Sequence, residues 1–239
     1  MLSLSQARPV VVAIDGPAGA GKSTVARMLA RRLGLPYLDT GAMYRVVGLL
    51  ALRAGLAPPF DAEAALRVGQ MAGEHRIEIV ADGECVVALL DGEDVSREIR
   101  TPACSELASA VSTLTAVRHA LVPLQRAAAA ARGGVMEGRD IGTVVFPDAD
   151  LKVFLTASPE ERARRRHQDL VRQGVDTDLA EVLRQLALRD QRDSTRADSP
   201  LRVAEGAVVV DSTGMLPDRI VDRLQEELRR ARAEPEGRS

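Results

Sequence analysis

Residues Gly16-Pro-Ala-Gly-Ala-Gly-Lys22-Ser23-Thr24 have the G-x-x-x-x-G-K-[ST] spacing of a phosphate-binding loop. They stand between the apolar run Val10 to Ile14 and a helical pattern through Val25, Met28, Leu29 and Leu33. Glycines at 16, 19 and 21 let the backbone curl, so that successive N–H groups and a helix N-terminus point at phosphate oxygens. Lys22 brings a full charge to those oxygens and Ser23 a hydroxyl for Mg²⁺. The only other lysine is Lys152, in a chain with 32 Lys plus Arg. A sequence that uses arginine for nearly every cation keeps lysine where a compact, mobile ammonium must fit among phosphates. Gly16, Pro17, Ala18, Gly19, Ala20, Gly21, Lys22, Ser23 and Thr24 are thus expected to bind a nucleoside triphosphate.

Arginines gather in further places. In Glu161-Arg-Ala-Arg-Arg-Arg166, Arg162, Arg165 and Arg166 share one helical face before Gln173-Gly174 breaks the helix. A flap carrying them is expected to close over a triphosphate and neutralise charge on the transferring group. Downstream, Arg189, Arg192, Asp193 and Arg196 form a polar stripe, with Leu183 and Leu186 expected on the other flank toward the core. Arg45, Arg118 and Arg139 lie at expected helix and strand ends. This is more cation than one triphosphate needs, so a second anionic substrate is expected, and phosphoryl transfer between the two. A phosphate acceptor is already anionic near neutral pH and needs no general base. His75, His119 and His167 are scattered, and no Ser-His-Asp or Cys-His arrangement is evident.

The elements that must position these groups alternate strand and helix. Gly34 to Asp39 reads as a helix stop and a short strand, and Thr40 to Arg45 opens a second helix. Asp150 to Thr156 and Ala207 to Asp211 read as later strands, and Leu216 to Arg230 as the last helix. The pattern predicts a parallel sheet with helices on both faces and ligands at the carboxyl ends of its strands. Asp39, Thr40 and Arg45 then lie near the phosphate loop by topology. Between them and the later strands, Arg76 to Val80, Cys85 to Leu90 and Glu93 to Val95 are separated by Asp82-Gly83 and Asp91-Gly92, which are hairpin signals. A small antiparallel meander is therefore expected as an inserted lobe.

At 239 residues and 46% hydrophobic, the chain is long enough to bury a core without staples. A net charge of -2 argues against a nucleic-acid or membrane surface. With no Trp, two Tyr and three Phe, a base-stacking single-strand platform is not expected. Cys85 and Cys104 read as buried reduced thiols. Residues Met1 to Arg8 contain no long apolar segment, so no signal peptide is expected and a cytoplasmic location is. The tail from Ala233 to Ser239 reads as polar and frayed.

Several stretches together resemble the bacterial cytidylate kinases: Gly16 to Ser23, Leu38 to Arg45, Asp91 to Arg100, Glu137 to Asp148 and Leu188 to Arg196 with Pro200-Leu201. The resemblance runs from about Val10 to Arg230. It implies an α/β fold of the P-loop NTPase type with an inserted nucleoside-monophosphate-binding lobe and a short lid. The parts would be a core at 1–61, the lobe at 62–119, core again at 120–161, the lid at 162–176, core at 177–232 and a tail at 233–239. It implies phosphoryl transfer from ATP to CMP or dCMP with Mg²⁺ on Ser23, by a monomer whose partners are small molecules. Carried over by position, Arg45 and Arg139 would hold the acceptor phosphate, and Ser109, Arg118 and Asp140 would read the pyrimidine. Arg189 and Asp193 would take the ribose side with Arg196 close by, and Thr40 keeps a hydroxyl in the same pocket. Lys22, Arg139, Arg162 and Arg166 are the expected catalytic cations.

Other phosphate-loop proteins fit less well. A guanine-reading GTPase needs an N-K-x-D motif, and neither Lys22 nor Lys152 stands in one. An acidic strand end for an ATPase is present at Asp211, yet Ser212 follows it rather than Glu. Kinases of UMP, dTMP, shikimate or a dephospho-cofactor are nearer rivals, separated by acceptor preference.

Overall fold

The apolar run Val-Val-Ala-Ile-Asp becomes a strand buried at every position, which happens when parallel neighbours cover both edges and helices both faces. The structure, a computed structural model, describes residues 8–82 and 85–233. In chain order β1 (Val11–Asp15), α1 (Lys22–Leu33), β2 (Tyr37–Asp39), α2 (Thr40–Arg53) and α3 (Ala62–Glu74) come first. Then come β3 (Ile77–Asp82), β4 (Cys85–Leu90), β5 (Glu93–Asp94), α4 (Pro102–Val111) and α5 (Thr115–Ala130). After these follow β6 (Gly134–Glu137), a π-helical turn (Ile141–Val145), β7 (Leu151–Thr156), α6 (Pro159–Arg172), α7 (Leu179–Thr195), β8 (Val208–Asp211) and α8 (Pro217–Ala233).

The main sheet has the order β2-β6-β1-β7-β8, and all its pairings are parallel. Alternate residues of β1 serve the two faces. Val12 and Ile14 pack with Val25 and Leu29 of α1 and Ile220 and Leu224 of α8. Val11 and Ala13 pack with Ala129 of α5 and Ile141 and Val145 of the π-helical turn. The helix stop expected at Gly34 is a left-handed cap at φ 66°, and the N–H of Leu35 reaches back to the Ala30 carbonyl at 2.9 Å. Gly16 leaves β1 at φ 145°, where a Cβ would lie 1.9 Å from the Leu155 carbonyl oxygen of β7.

The expected meander is the antiparallel sheet β3-β4-β5. Asp91 and Gly92 take φ 53° and 89°, the two positive values of a primed hairpin turn. The other turn, at 83–84, lies outside the described residues. This sheet packs with α2, α3, α4 and α5 around Val47, Val68, Ile77, Leu107 and Leu121. Gly48 lets α2 approach α4, since a Cβ there would lie 3.0 Å from the Ala108 nitrogen. Two expected boundaries fall inside continuous helices: α5 crosses 119/120 and α6 crosses 161/162. α6 and α7 form an antiparallel arm closed by Ala163, Leu170, Val182 and Leu186.

Cys104 is a buried free thiol. The side chain of Cys85, residues 1–7 and the tail from 234 lie outside the described residues. Among the described residues no single helix is long and apolar enough to cross a membrane, and α4 and α5, apolar enough only as a pair, meet at 102°.

Candidate active site

A cleft of about 360 Å³ opens at the carboxyl ends of β1, β2 and β6, with the phosphate loop on one wall and α7 opposite. Ala18, Gly19, Gly21, Lys22, Ser23 and Thr24 line it, whereas Gly16, Pro17 and Ala20 stand behind and shape the loop. The Pro17 carbonyl accepts from Lys22 Nζ at 2.8 Å, and the Ala20 carbonyl accepts from Ser212 Oγ at 3.0 Å. Burial and the Arg139 charge hold the Lys22 ammonium well below its ordinary pKa.

Beside Lys22 sits a carboxylate that the sequence did not single out. Glu137 ends β6, and because β6 pairs with β1 its Oε2 accepts from Ser23 Oγ at 2.9 Å. Its Oε1 accepts from the Tyr37 hydroxyl, and its backbone carbonyl accepts from Thr40 Oγ1 at 2.7 Å. Burial and the Asp39 charge raise the Glu137 pKa. Ser23, Glu137 and Asp39 together offer hard oxygen donors, the donor class Mg²⁺ takes.

The opposite wall is cationic. Arg45, Arg139, Arg166 and Arg189 all line the cleft. Arg45 donates to Ser105 Oγ of the lobe, and Arg139 Nε donates to Asp193 Oδ2 at 2.9 Å. Arg189 is lowered to about 9 by burial first, then by Arg139, with Arg45 and Arg166 adding and Asp193 opposing. The Arg45 pKa is lowered chiefly by burial, with Asp39 opposing and Arg166, Arg100 and Arg139 adding. So much like charge in one place favours an anion there.

At the inner end, Arg118 and Asp140 are both buried and paired, and Arg196 Nη2 lies 3.6 Å from the other Asp140 oxygen. Tyr44 stands under Arg118 with its ring 5.5 Å from the guanidinium carbon. Among the described residues, Arg118 Nε, Arg189 Nε and Arg196 Nη2 are buried without a hydrogen-bond partner. Native interiors seldom leave such atoms unpaired, so this end is suited to a polar ligand. Ser109 Oγ is also buried with no partner among the described residues, but the lining is made by its neighbours Ala108 and Ser112.

Two expectations need correction. Leu183 and Leu186 do pack into the core of the arm, and Leu186 also reaches the cleft beside Arg189 and Asp193, but Arg192, expected in the same stripe, is exposed and does not line it. The packing of α7 on α6 fixes that rotation. Arg162 does not line the cleft: its guanidinium donates to the Ala18 and Ala157 carbonyls, both at 3.2 Å, and to Asp190 at 2.5 Å. The first turn of α6 lies directly on the phosphate loop, where a Cβ on Gly19 would come within 2.8 Å of Arg162 backbone, and this sends the side chain under the loop. Arg165, one turn on, lines the cleft and donates to Ser212 Oγ at 2.9 Å.

The family model for cytidylate kinase matches residues 12–230, which holds every element just described from β1 to most of α8. The chain belongs to the cytidylate kinase family. A cytidylate kinase of Geobacter sulfurreducens is 48% identical over 235 residues, covering 98% of this chain and 99% of that one. Cytidylate kinases of Nocardia farcinica and Mycobacterium avium are each 52% identical, over 92% of this chain and 94% and 95% of theirs. The cytidylate kinase matches span both the phosphate loop and the lobe, so they cover both walls of the cleft.

Proposed function

We propose that the protein transfers the γ-phosphoryl group of ATP to CMP or dCMP, giving ADP and CDP or dCDP. The observation that carries this reading is one cleft with Lys22 on one wall, four arginines facing it and the Arg118–Asp140 pair at its inner end. An oxygen of the acceptor phosphate attacks the γ-phosphorus, the bond to the β,γ-bridging oxygen breaks, and ADP leaves with the charge. The acceptor oxygen is already anionic, so no side chain need take a proton. Catalysis then consists of alignment and charge neutralisation.

The phosphate loop from Gly16 to Thr24 would cradle ATP, with Lys22 on the phosphates. Ser23, beside Glu137 and Asp39, would hold Mg²⁺, which would offset phosphate charge at that end of the cleft. Arg139 and Arg166 lie where they can neutralise the transferring group, with Arg165 at the same rim. Arg162, by contrast, acts through the loop it supports. Arg45 and Arg139 take the acceptor phosphate, Arg189 and Asp193 the ribose side, and Thr40 and Arg196 complete the pocket. At the base, Arg118 and Asp140 read the pyrimidine, with Ser109 behind the wall that Ala108 and Ser112 form. An ionised Asp140 accepts from the cytosine amine but opposes the uracil carbonyl, acceptor against acceptor.

Action as a monomer in the cytoplasm belongs to the same reading. Steady-state rates with ATP and a panel of acceptors test the reading. CMP and dCMP should exceed UMP by at least about tenfold in kcat/KM, the weight of one mismatched polar contact. Equal or faster turnover of UMP, dTMP or shikimate overturns it.

A further inference from the structure

One buried titratable group has no part in the scheme above. Asp15 is the last residue of β1, directly before Gly16, and is only 3% exposed. Its two carboxylate oxygens accept from consecutive backbone N–H groups, Ile141 at 2.8 Å and Gly142 at 2.7 Å. These amides open the π-helical turn that begins immediately after Arg139 and Asp140. Just upstream, the Gly138 N–H donates to the carbonyl of Ile14 at 3.0 Å. Arg139 and Asp140 are therefore carried on a two-residue span between anchor points that both lie at the end of β1. Arg126 holds the far end of the turn, Nε to the Val145 carbonyl at 2.9 Å and Nη2 to the Val144 carbonyl at 2.8 Å.

A carboxylate is the one side chain of this length with two acceptor atoms and no donor, and its bonds to N–H groups are the strong, charge-assisted kind. Burial pushes Asp15 up to about 6, with the two backbone N–H groups and Lys22 opposing and Asp140 adding. A buried charge is retained here although a shorter polar residue would end the strand.

We propose that Asp15 is a positioning residue, which ties the loop bearing Arg139 and Asp140 to the strand that opens the phosphate loop and so keeps the acceptor site aligned with Lys22. It touches neither substrate. The inference rests on the reading that Arg139 and Asp140 hold the acceptor.

The test is Asp15→Asn in the full chain, with CMP and MgATP binding measured separately by calorimetry and kcat and KM measured for both. The amide keeps the shape but turns a donor onto an N–H. CMP Kd and KM should rise by about tenfold or more, the loss of one charge-assisted hydrogen bond, while MgATP Kd stays within about threefold. Equal weakening of both nucleotides, or of neither, overturns the proposal. If Asp15→Asn does not accumulate folded, Arg126→Gln, which loosens the far end of the same turn, decides by the same split in milder form. Wild-type turnover of CMP is the parallel control: its absence sinks the functional reading, whereas an active wild type without the split sinks only the role of Asp15.

Discussion

Lys22 donates its Nζ hydrogen to the Pro17 carbonyl, so the lysine of the phosphate loop is held by the backbone of that loop while Arg139 and Arg189 face it. Burial first, and then those two cations, depress its pKa to about 7, with Glu137 and Asp15 opposing. A triphosphate replaces a repelling field with an attracting one and raises the pKa again. Binding of MgATP should therefore take up protons, most above about pH 7 where the free ammonium is largely neutral, and almost none at pH 6. Calorimetry at pH 8 in two buffers of different ionisation enthalpy measures it, and equal heats would refute it.

Among the described residues Asp140 is the only counter-charge paired with Arg118, and it is shared with Arg196. Asp140→Ala should lower kcat/KM for CMP by about 10²-fold or more and leave MgATP affinity nearly intact. It should also destabilise the protein by about 3 kcal/mol, because it strands buried arginine charge. Denaturant melts with a CMP titration read both effects. An unchanged CMP KM and kcat would remove Asp140 from base reading.

Arg189 is half-buried among Arg45, Arg139 and Arg166, a placement that suits an anion better than it suits the free protein. Arg189→Met should leave the nucleotide-free protein as stable as before or up to about 1 kcal/mol more so, the usual trade at a functional site. The rise in Tm caused by CMP should shrink. A large fall in the Tm of the free variant would show that Asp193 outweighs the repulsion.

Arg162 and Arg166 lie one turn apart on α6 and should fail differently. Arg162→Ala removes the donor to Ala18 and the partner of Asp190, so KM for ATP should rise and stability fall by about 2–4 kcal/mol. Arg166→Ala should lower kcat by about 10²-fold with stability within about 0.5 kcal/mol. Steady-state kinetics beside thermal melts separate them, and matching profiles would contradict the two placements.

What could be read from the chain was local. The strand, glycine loop and helix at 10–33, the Asp91-Gly92 turn and the alternation of strand with helix each depend on a few adjacent residues. What escaped depends on partners distant in sequence. Glu137 meets Ser23 only because β6 inserts between β1 and β2, an order that no local pattern encodes. On α7 the stripe at 189, 192, 193 and 196 was visible, but the rotation that keeps Arg189 and Asp193 inward and turns Arg192 out comes from packing on α6. Arg162, Arg165 and Arg166 share a face by spacing, yet the nearness of α6 to Gly19 divides them between the underside of the loop and the cleft.

The first glycine of the phosphate loop answers to the sheet before it answers to any nucleotide. A methyl group at position 16 would run into the neighbouring strand at the Leu155 oxygen whether or not ATP is present. A descendant that abandoned catalysis but kept this architecture would still need glycine there, so that residue taken alone marks ancestry of the scaffold, and Lys22 is the better witness to surviving chemistry.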